Sequence, residues 1–197
     1  MRNCSKWIFD LDGTLTEDQH DFDLIRSRLG VPPGRLILEY SETLPKEESK
    51  VLLDKLAILE RDVIRKTQVA NGAKPLLHLL RSRSHFLGIL TRNTRKNAIK
   101  TLKKIGLKEF FPDELIVGRE EKIPKPDPEG IFYLLHKWKT DSKNCAIVGD
   151  YCLDLEAGRR AGIITILVDT SKAERWENLS DFRVGSLLEM KSLLEKQ

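Results

Sequence analysis

Two aspartates one residue apart follow the first apolar run of the chain, and a glycine comes directly after them. They are Asp10 and Asp12, within the segment IFDLDGT at residues 8–14. Alternate residues of a strand face the same side, so the two acids can converge on one point where the strand ends. Two anions this close are costly unless a cation lies with them or one carboxyl keeps a proton. The pair indicates a cation site or acid–base chemistry, although a solvated Asp-Gly turn would have the same sequence.

Three later segments place further polar side chains directly after apolar runs. Thr91 and Arg92 follow the run LGIL, where a hydroxyl beside helix N-terminal amides can bind phosphate or simply cap the helix. Lys125 lies among three prolines in IPKPDP, which stiffen the loop and fix the direction of the ammonium group. A rigid turn with an exposed lysine is the simpler interpretation of that segment. Asp150 and Asp154, in GDYCLD, follow the run CAIV and could bind a ligand or cap the next helix.

Regular alternation of apolar runs and helix-length segments predicts the elements that position these side chains. We expect strands at 5–11, 85–90, 115–117, 145–148, 163–168 and 182–184, and helices at 73–83, 94–105, 128–137, 153–160 and from about 186. Strands that are apolar on both faces and separated by helices predict a parallel sheet covered on both sides. The fold class is therefore α/β, with a doubly wound, Rossmann-like core formed by residues 1–15 and 73–197. Such sheets bind ligands at the carboxyl ends of their strands, so the polar segments predict one shared crevice.

Residues 16–72 lack this alternation and predict an inserted helical segment. Its second half carries apolar residues at gaps typical of one helix face: Leu52, Leu56, Leu59 and Val63. Pro45, followed by acidic residues, predicts the start of this long helix, and shorter helices are expected at 21–29 and 34–43. An insertion after the first strand stands over the crevice, so we expect a small helical cap.

Composition and charge narrow the class of protein. The 197 residues are 40% hydrophobic and 32% charged, and no apolar run approaches the roughly 20 residues that span a bilayer. The first residues lack the basic and long apolar segments of a secretory signal, so we expect none and a cytoplasmic protein without a membrane partner. Cys4, Cys145 and Cys152 lack metal-binding or redox spacing, so we expect reduced thiols.

The net charge of +4 is mild, and part of it clusters between Arg92 and Lys108. Such a cluster is typical of the solvated face of a helix. No aromatic residues are interleaved to stack on bases, which disfavours a nucleic-acid partner. A positive field could still attract small phosphorylated anions.

The polar segments, taken in order, resemble the four motifs of the haloacid dehalogenase (HAD) superfamily. They are DLDGT at 10–14, LT at 90–91, KPDP at 125–128 and GDYCLD at 149–154. The helical insertion resembles the C1-type cap of that family, and AGRRAG at 157–162 is similar to its phosphoglycolate-phosphatase-like branch. The segment TEDQH at 16–20 departs from the VDS common in that branch, which leaves the substrate open.

The resemblance implies a phosphatase that acts on a small phosphorylated metabolite, such as a phosphoglycolate-like compound or a sugar phosphate. Asp10 would attack phosphorus to form an aspartyl-phosphate, and Asp12 would serve as general acid and then general base. Mg²⁺ would bind the Asp10 carboxylate, the Asp12 backbone carbonyl and Asp150. Dehalogenases of the superfamily need neither the second acid nor Mg²⁺, so Asp12 favours phosphate chemistry.

The same resemblance implies roles for the remaining motif residues. Thr91 and the amide of Arg92 would hold phosphate oxygens, and Lys125 would add positive charge beside Asp10 and the phosphate. Asp154 would position Lys125 or a metal-bound water.

Two other functions fit parts of the pattern. A β-phosphoglucomutase-like phosphotransferase would use the same aspartyl-phosphate, and a signalling receiver also gathers acids, threonine and lysine on a parallel sheet. In a receiver, however, the acceptor aspartate ends the third strand, and no cap is inserted. His20 is left out of the predicted site as a solvated histidine, and Arg28 and Arg35 are left out as partners of surface salt bridges. The sequence leaves monomer and homodimer equally open.

Overall fold

The computed structural model describes residues 1, 3–17, 21–169 and 176–196, and within these ranges six strands form one sheet. The strands are β1 (Lys6–Phe9), β2 (Phe86–Leu90), β3 (Ile116–Val117), β4 (Cys145–Gly149), β5 (Ile164–Val168) and β6 (Phe182–Val184). Their order is β3-β2-β1-β4-β5-β6, and every neighbouring pair is parallel. The predicted α/β doubly wound sheet is confirmed, with β1 at its centre.

Helices cover both faces of this sheet. They are α4 (Ala73–Ser82), α5 (Arg95–Lys104), α6 (Glu129–Lys137), α7 (Cys152–Ala161) and α8 (Leu187–Glu195). Trp7 and Phe9 of β1 pack in one cluster with residues of α4, α5 and α8, whereas Ile8 packs with residues of α6 and α7. Side chains of a strand alternate between faces, so the complete burial of β1 follows from having helices on both sides.

The first strand is shorter than the sequence predicts, because the chain turns within the predicted strand. The amide of Asp10 still donates to the carbonyl of Val148, but the carbonyl of Leu11 accepts from Leu15 and Thr16. This turn places both aspartates at the carboxyl edge of the sheet.

Three helices lie between β1 and α4: α1 (Phe22–Leu29), α2 (Ile37–Glu42) and α3 (Lys46–Lys66). Pro45 occupies the N-cap of α3, as predicted. The helix α2 begins later than expected because Gly34, with φ +74°, and Arg35 belong to the turn before it. Thr16 pairs with Val69 in an antiparallel bridge, so the two ends of the helical segment between β1 and α4 lie side by side.

The helices α1, α2 and α3 have a small apolar core of their own, formed by Ile25, Leu38 and Leu56. The three cysteines are free thiols, as predicted. Across the residues that the structure describes, no helix combines the length and apolar character needed to cross a bilayer.

A hydrogen bond between Trp7 and His85 joins β1 to the start of β2. The fully buried indole Nε1–H donates to Nδ1 of His85 over 3.0 Å, and the two rings stack. Since Nδ1 accepts this bond, it carries no proton. Burial lowers the pKa of His85 below its usual value of 6.5, and the charge of Arg83 lowers it further.

We expect the free energy of unfolding to decrease as the pH falls through 6.5, because the unfolded state then binds a proton at His85 more readily than the native state. Urea unfolding from about pH 7.5 to about pH 5 measures this slope. His85→Asn keeps an acceptor for Trp7 and does not titrate, so its slope should be smaller. His85→Ala leaves the indole unpaired and should cost about 1–3 kcal/mol at the higher pH. A slope unchanged in His85→Asn would contradict this account.

Candidate active site

The predicted site residues come together at the carboxyl ends of the central strands. Asp10 follows β1, Thr91 follows β2 and Asp150 follows β4, while Lys125 lies between β3 and α6 and Asp154 lies in the first turn of α7. Together with Asp12 and Arg92, they line one cavity of about 1060 Å³. Residues of α1, α2 and α3 form the opposite wall. The cavity is the crevice that a doubly wound sheet offers to ligands.

Lys125 lies at the centre of this arrangement. Its Nζ is 2.6 Å from Oδ1 of Asp10 and 2.5 Å from Oδ1 of Asp154. Only 2% of Lys125 is exposed, so the interpretation as an exposed lysine on a rigid turn is wrong. Burial favours the neutral amine, but the charges of Asp10 and Asp154 outweigh it and raise the pKa of Lys125 to about 12. The lysine is therefore a cation at neutral pH.

Three carboxylates crowd around this single ammonium group. One oxygen each from Asp10, Asp150 and Asp154 lies within 4.8 Å of the others. Burial, and then the charges of the two neighbouring aspartates, raises the pKa of Asp150 well above its ordinary value, although Thr14 Oγ1 donates to its Oδ1 over 3.0 Å. The negative charge of the cluster exceeds its positive charge. A further cation would balance it, and carboxylate oxygens are hard ligands that suit Mg²⁺.

Asp154 takes part in this cluster mainly through protein contacts. Its Oδ1 contacts Lys125, and its Oδ2 accepts a 3.3 Å hydrogen bond from the backbone N–H of Tyr151 at the start of α7. Burial raises the pKa of Asp154 to about 6. Both carboxylate oxygens of Asp154 have protein partners. Asp10 and Asp150 are therefore better suited than Asp154 to bind a metal.

Gly13 brings the backbone of the first turn against Asp150. Its φ is +87°, and a Cβ atom built there would lie 2.4 Å from Oδ2 of Asp150. Only glycine allows both this conformation and this close approach. This close approach brings the backbone next to Asp12 beside the Asp150 carboxylate, so oxygens of both can serve as ligands of one metal ion.

Asn93, which belongs to none of the predicted motifs, orients the loop after β2. Its backbone N–H donates to Thr91 Oγ1 over 3.0 Å, and its side-chain Nδ2 donates to Oδ2 of Asp12 over 3.3 Å. The N-cap of α5 is Thr94, whose hydroxyl accepts from the N–H of Asn97. Thr91 is thus not the helix cap, and its hydroxyl hydrogen can be donated to a ligand.

The side chain of Arg92 forms a bridge between two segments. Its Nη2 is 2.7 Å from Oε2 of Glu39 in α2, and its Nη1 donates to the backbone carbonyl of Lys125. The backbone amide of Arg92 belongs to the same loop as Thr91, and its role in phosphate binding stays a prediction.

A buried ion pair links α3 to the loop after β3, and neither of its partners was predicted from the sequence. Arg119 Nη1 is 2.5 Å from Glu60 Oε1, and Nη2 is 3.1 Å from Oε2. Asn97 donates to Glu60 as well, and Arg119 Nη1 donates to the carbonyl of Arg92 over 3.1 Å. One signal was available: Glu60 continues the buried stripe of Leu52 and Leu56 at a spacing of four residues.

Two of the basic residues considered for the cap, Arg28 and Arg35, are not among the residues that line the cavity. Arg28 and Arg35 are exposed, and His20 lies outside the described residues. The cavity is lined instead by Arg26, whose Nη2 is 2.7 Å from Asp23 on the same helix. Sequence alone does not distinguish these three arginines, because which of them reaches the cavity depends on how this region packs against the rest of the chain.

Comparisons with known proteins agree with this architecture. The sequence profile of the family described as haloacid dehalogenase-like hydrolase matches residues 20–168. A haloacid dehalogenase-like hydrolase domain-containing protein of Arabidopsis thaliana is 30% identical over 206 aligned positions, which cover 95% of this chain and 82% of that protein. A phosphoglycolate phosphatase of Aquifex aeolicus is 28% identical and covers 95% of each chain. The crystal structure of a hydrolase from Pseudomonas syringae, 21% identical, has the same fold with a TM-score of 0.82 over 98% of each chain.

Removing one charge from the carboxylate cluster should stabilise the metal-free protein. Because burial and the neighbouring charges raise the pKa of Asp150 well above its ordinary value, this residue lowers native-state stability as the pH rises above that ordinary value, and Asp150→Asn removes the cost while keeping an acceptor for Thr14. Urea unfolding in EDTA at about pH 7.5 should therefore give a higher free energy of unfolding for Asp150→Asn than for the wild type. The control Glu17→Gln, an exposed acid on the same cavity, should change it by less than about 0.5 kcal/mol. A lower free energy of unfolding for Asp150→Asn than for the wild type would contradict the destabilisation of the Asp150 carboxylate by burial and by its charged neighbours.

Proposed function

The chain belongs to the haloacid dehalogenase-like hydrolase family, and we propose that it is a Mg²⁺-dependent phosphatase. Its substrate would be a small phosphorylated metabolite, hydrolysed through an aspartyl-phosphate on Asp10. The observation that supports this most is the buried contact of Lys125 with Asp10 at the carboxyl edge of β1, inside the cavity. A relative that is named a phosphoglycolate phosphatase supports a phosphate ester as the substrate.

Asp10 is placed to act as the nucleophile. Lys125 holds its Oδ1, and only 8% of the residue is exposed, so the carboxylate has a fixed direction. A carboxylate oxygen would form a bond to phosphorus while the bond from phosphorus to the leaving oxygen breaks. The ammonium of Lys125 reduces the repulsion between the carboxylate and the phosphate dianion.

Residues on the other sides of the cavity would hold the phosphate. Thr91 is buried, and its Oγ1 already accepts from Asn93, so its hydroxyl hydrogen can be donated to a phosphate oxygen. The backbone amide of Arg92 would donate to a second oxygen. These contacts fix the phosphorus in front of Asp10.

The Asp10 carboxylate, the backbone carbonyl of Asp12 and the Asp150 carboxylate would hold Mg²⁺. The excess negative charge of the cluster and the close approach of the Gly13 backbone to Asp150 fit such an ion. When bound, the ion would neutralise charge on the phosphate and on the attacking carboxylate. Asp154 would keep Lys125 directed at Asp10.

Asp12 is placed to transfer protons. It is half-buried, lines the cavity and accepts from Asn93, so its carboxyl is held near the departing oxygen. It would give a proton to that oxygen and later take one from the water that attacks the aspartyl-phosphate.

Residues 16–72 would serve as the cap. Their apolar side chains face the site across the cavity: Ile25, Leu36, Ile37, Leu38 and Leu56. A wall of this kind excludes water and contacts the leaving group of a small substrate.

We expect Asp10→Asn to reduce hydrolysis of p-nitrophenyl phosphate to background, because an amide oxygen is a far weaker nucleophile than a carboxylate. Asp12→Asn should lower kcat for an unactivated alkyl phosphate by about 10²–10⁴-fold, since it cannot donate or accept the proton. Steady-state kinetics, with circular dichroism to verify folding, measures both. Asp62→Asn, a surface acid on α3, is the control for loss of a charge. Substantial activity in Asp10→Asn would end the nucleophile assignment.

Metal dependence has a readout independent of turnover. We expect EDTA to abolish activity and Mg²⁺ to restore it. Mg²⁺ should also raise the unfolding temperature of the wild type, because the ion binds the native cluster, and should raise it much less in Asp150→Asn. Differential scanning fluorimetry measures this shift. Metal-independent turnover, or an equal shift in both proteins, would contradict the proposed ligands.

A further inference from the structure

A continuous series of contacts connects α3 of the proposed cap to the carboxyl of Asp12. Glu60 pairs with Arg119, and Arg119 Nη1 donates to the carbonyl of Arg92 over 3.1 Å. The next residue, Asn93, donates from Nδ2 to Asp12 Oδ2 over 3.3 Å. No motif of the sequence includes Glu60, Arg119 or Asn93, and the mechanism above assigns no chemistry to the first two.

The cap end of this series is rigid. The side chains of Glu60 and Arg119 are only 8% and 9% exposed, and they pair through two parallel N–H···O contacts. Asn97 of α5 donates a further hydrogen bond to Oε2 of Glu60. A planar guanidinium bound in this way to a carboxylate fixes the orientation of both groups. Arg119 also balances the charge of Glu60, which interacts electrostatically with that of Asp12.

The catalytic end is equally well oriented. Asn93 is 5% exposed, its backbone N–H donates to Thr91, and its Oδ1 accepts from the N–H of Thr94 over 2.8 Å. This last contact settles which end of the amide faces Asp12, because the oxygen is already engaged. The Asn93 side chain therefore presents a donor to the Asp12 carboxyl.

We propose that Asn93, Arg119 and Glu60 are positioning residues that hold the carboxyl of Asp12 against the leaving-group oxygen while the cap is seated on the core. The inference rests on the proposed phosphatase function. In the step concerned, the electron pair of the breaking P–O bond goes to the leaving oxygen, and the proton of Asp12 moves to that oxygen. Displacement by even about 1 Å can slow such a step by about 10²-fold.

Substrates with different leaving groups distinguish a positioning role from a purely structural one. p-Nitrophenolate is weakly basic and departs without a proton, whereas phenolate is more basic and gains more from a positioned acid. Phenyl phosphate and p-nitrophenyl phosphate are close in shape, so the cap should accommodate them similarly. A variant that misplaces Asp12 should lose more activity on phenyl phosphate than on p-nitrophenyl phosphate.

The experiment measures kcat and KM of the full chain for both esters in Mg²⁺, with unfolding temperatures as a check on folding. Arg119→Gln and Asn93→Ala should each lower kcat for phenyl phosphate about 10-fold more than kcat for p-nitrophenyl phosphate. Arg119→Lys keeps the charge opposite Glu60 but cannot make the same set of contacts, so it should show the same direction of change. Arg95→Gln is the matched control, since Arg95 contacts the same loop at Glu121 and the carbonyl of Asp113.

A double variant tests whether the contacts act in series. Glu60→Gln combined with Arg119→Gln should lower kcat for phenyl phosphate, relative to kcat for p-nitrophenyl phosphate, by no more than Arg119→Gln alone does. Equal losses on both esters, unchanged kinetics or fully additive losses would overturn the positioning role. Absence of wild-type turnover on either ester would instead refute the phosphatase function itself.

Discussion

The buried ammonium of Lys125 holds the carboxyl edge of the sheet together. It contacts Asp10 after β1 and Asp154 in α7, and the Asp150 carboxylate lies within 4.8 Å of both. Buried charges persist in a native protein only when they are paired, so these loops must adopt their positions jointly. The lysine comes from the loop between β3 and α6, which makes that loop a partner of the two central strands. The same ammonium directs Asp10 towards the cavity, so one contact serves both the fold and the proposed chemistry.

The helices above the sheet are attached by charge as well as by apolar packing. Glu39 of α2 pairs with Arg92, and Glu60 of α3 pairs with Arg119. Removing one partner of a buried pair such as Glu60 and Arg119 typically costs about 3–5 kcal/mol, because the other charge is left unpaired. Both arginines lie on loops that follow strands, close to the residues that would hold phosphate. The positions of α2 and α3 are therefore linked to the geometry of these loops by direct contacts.

The elements that local sequence patterns encode were predictable from the sequence. Both faces of β1, β2 and β4 are covered, so each shows as an apolar run, and each run ends in a polar motif that reaches the cavity. Glu60 and Arg119 are different, because they meet through the packing of a helix on a loop, and sequence spacing carries no record of that contact. The sequence also does not show that Arg26 rather than Arg28 lines the cavity, because the rotation of a short helix about its axis depends on tertiary packing.

Trapping the covalent intermediate is the most direct test of the proposed aspartyl-phosphate mechanism. Wild-type protein would be mixed with Mg²⁺ and a phosphate ester, quenched in acid during turnover and digested, and its peptides analysed by mass spectrometry. The proposed mechanism predicts that phosphate is attached to the peptide that contains Asp10, and that this phosphate is absent from Asp10→Asn. Continued hydrolysis with no phosphate on that peptide, or with phosphate on another residue, would contradict it.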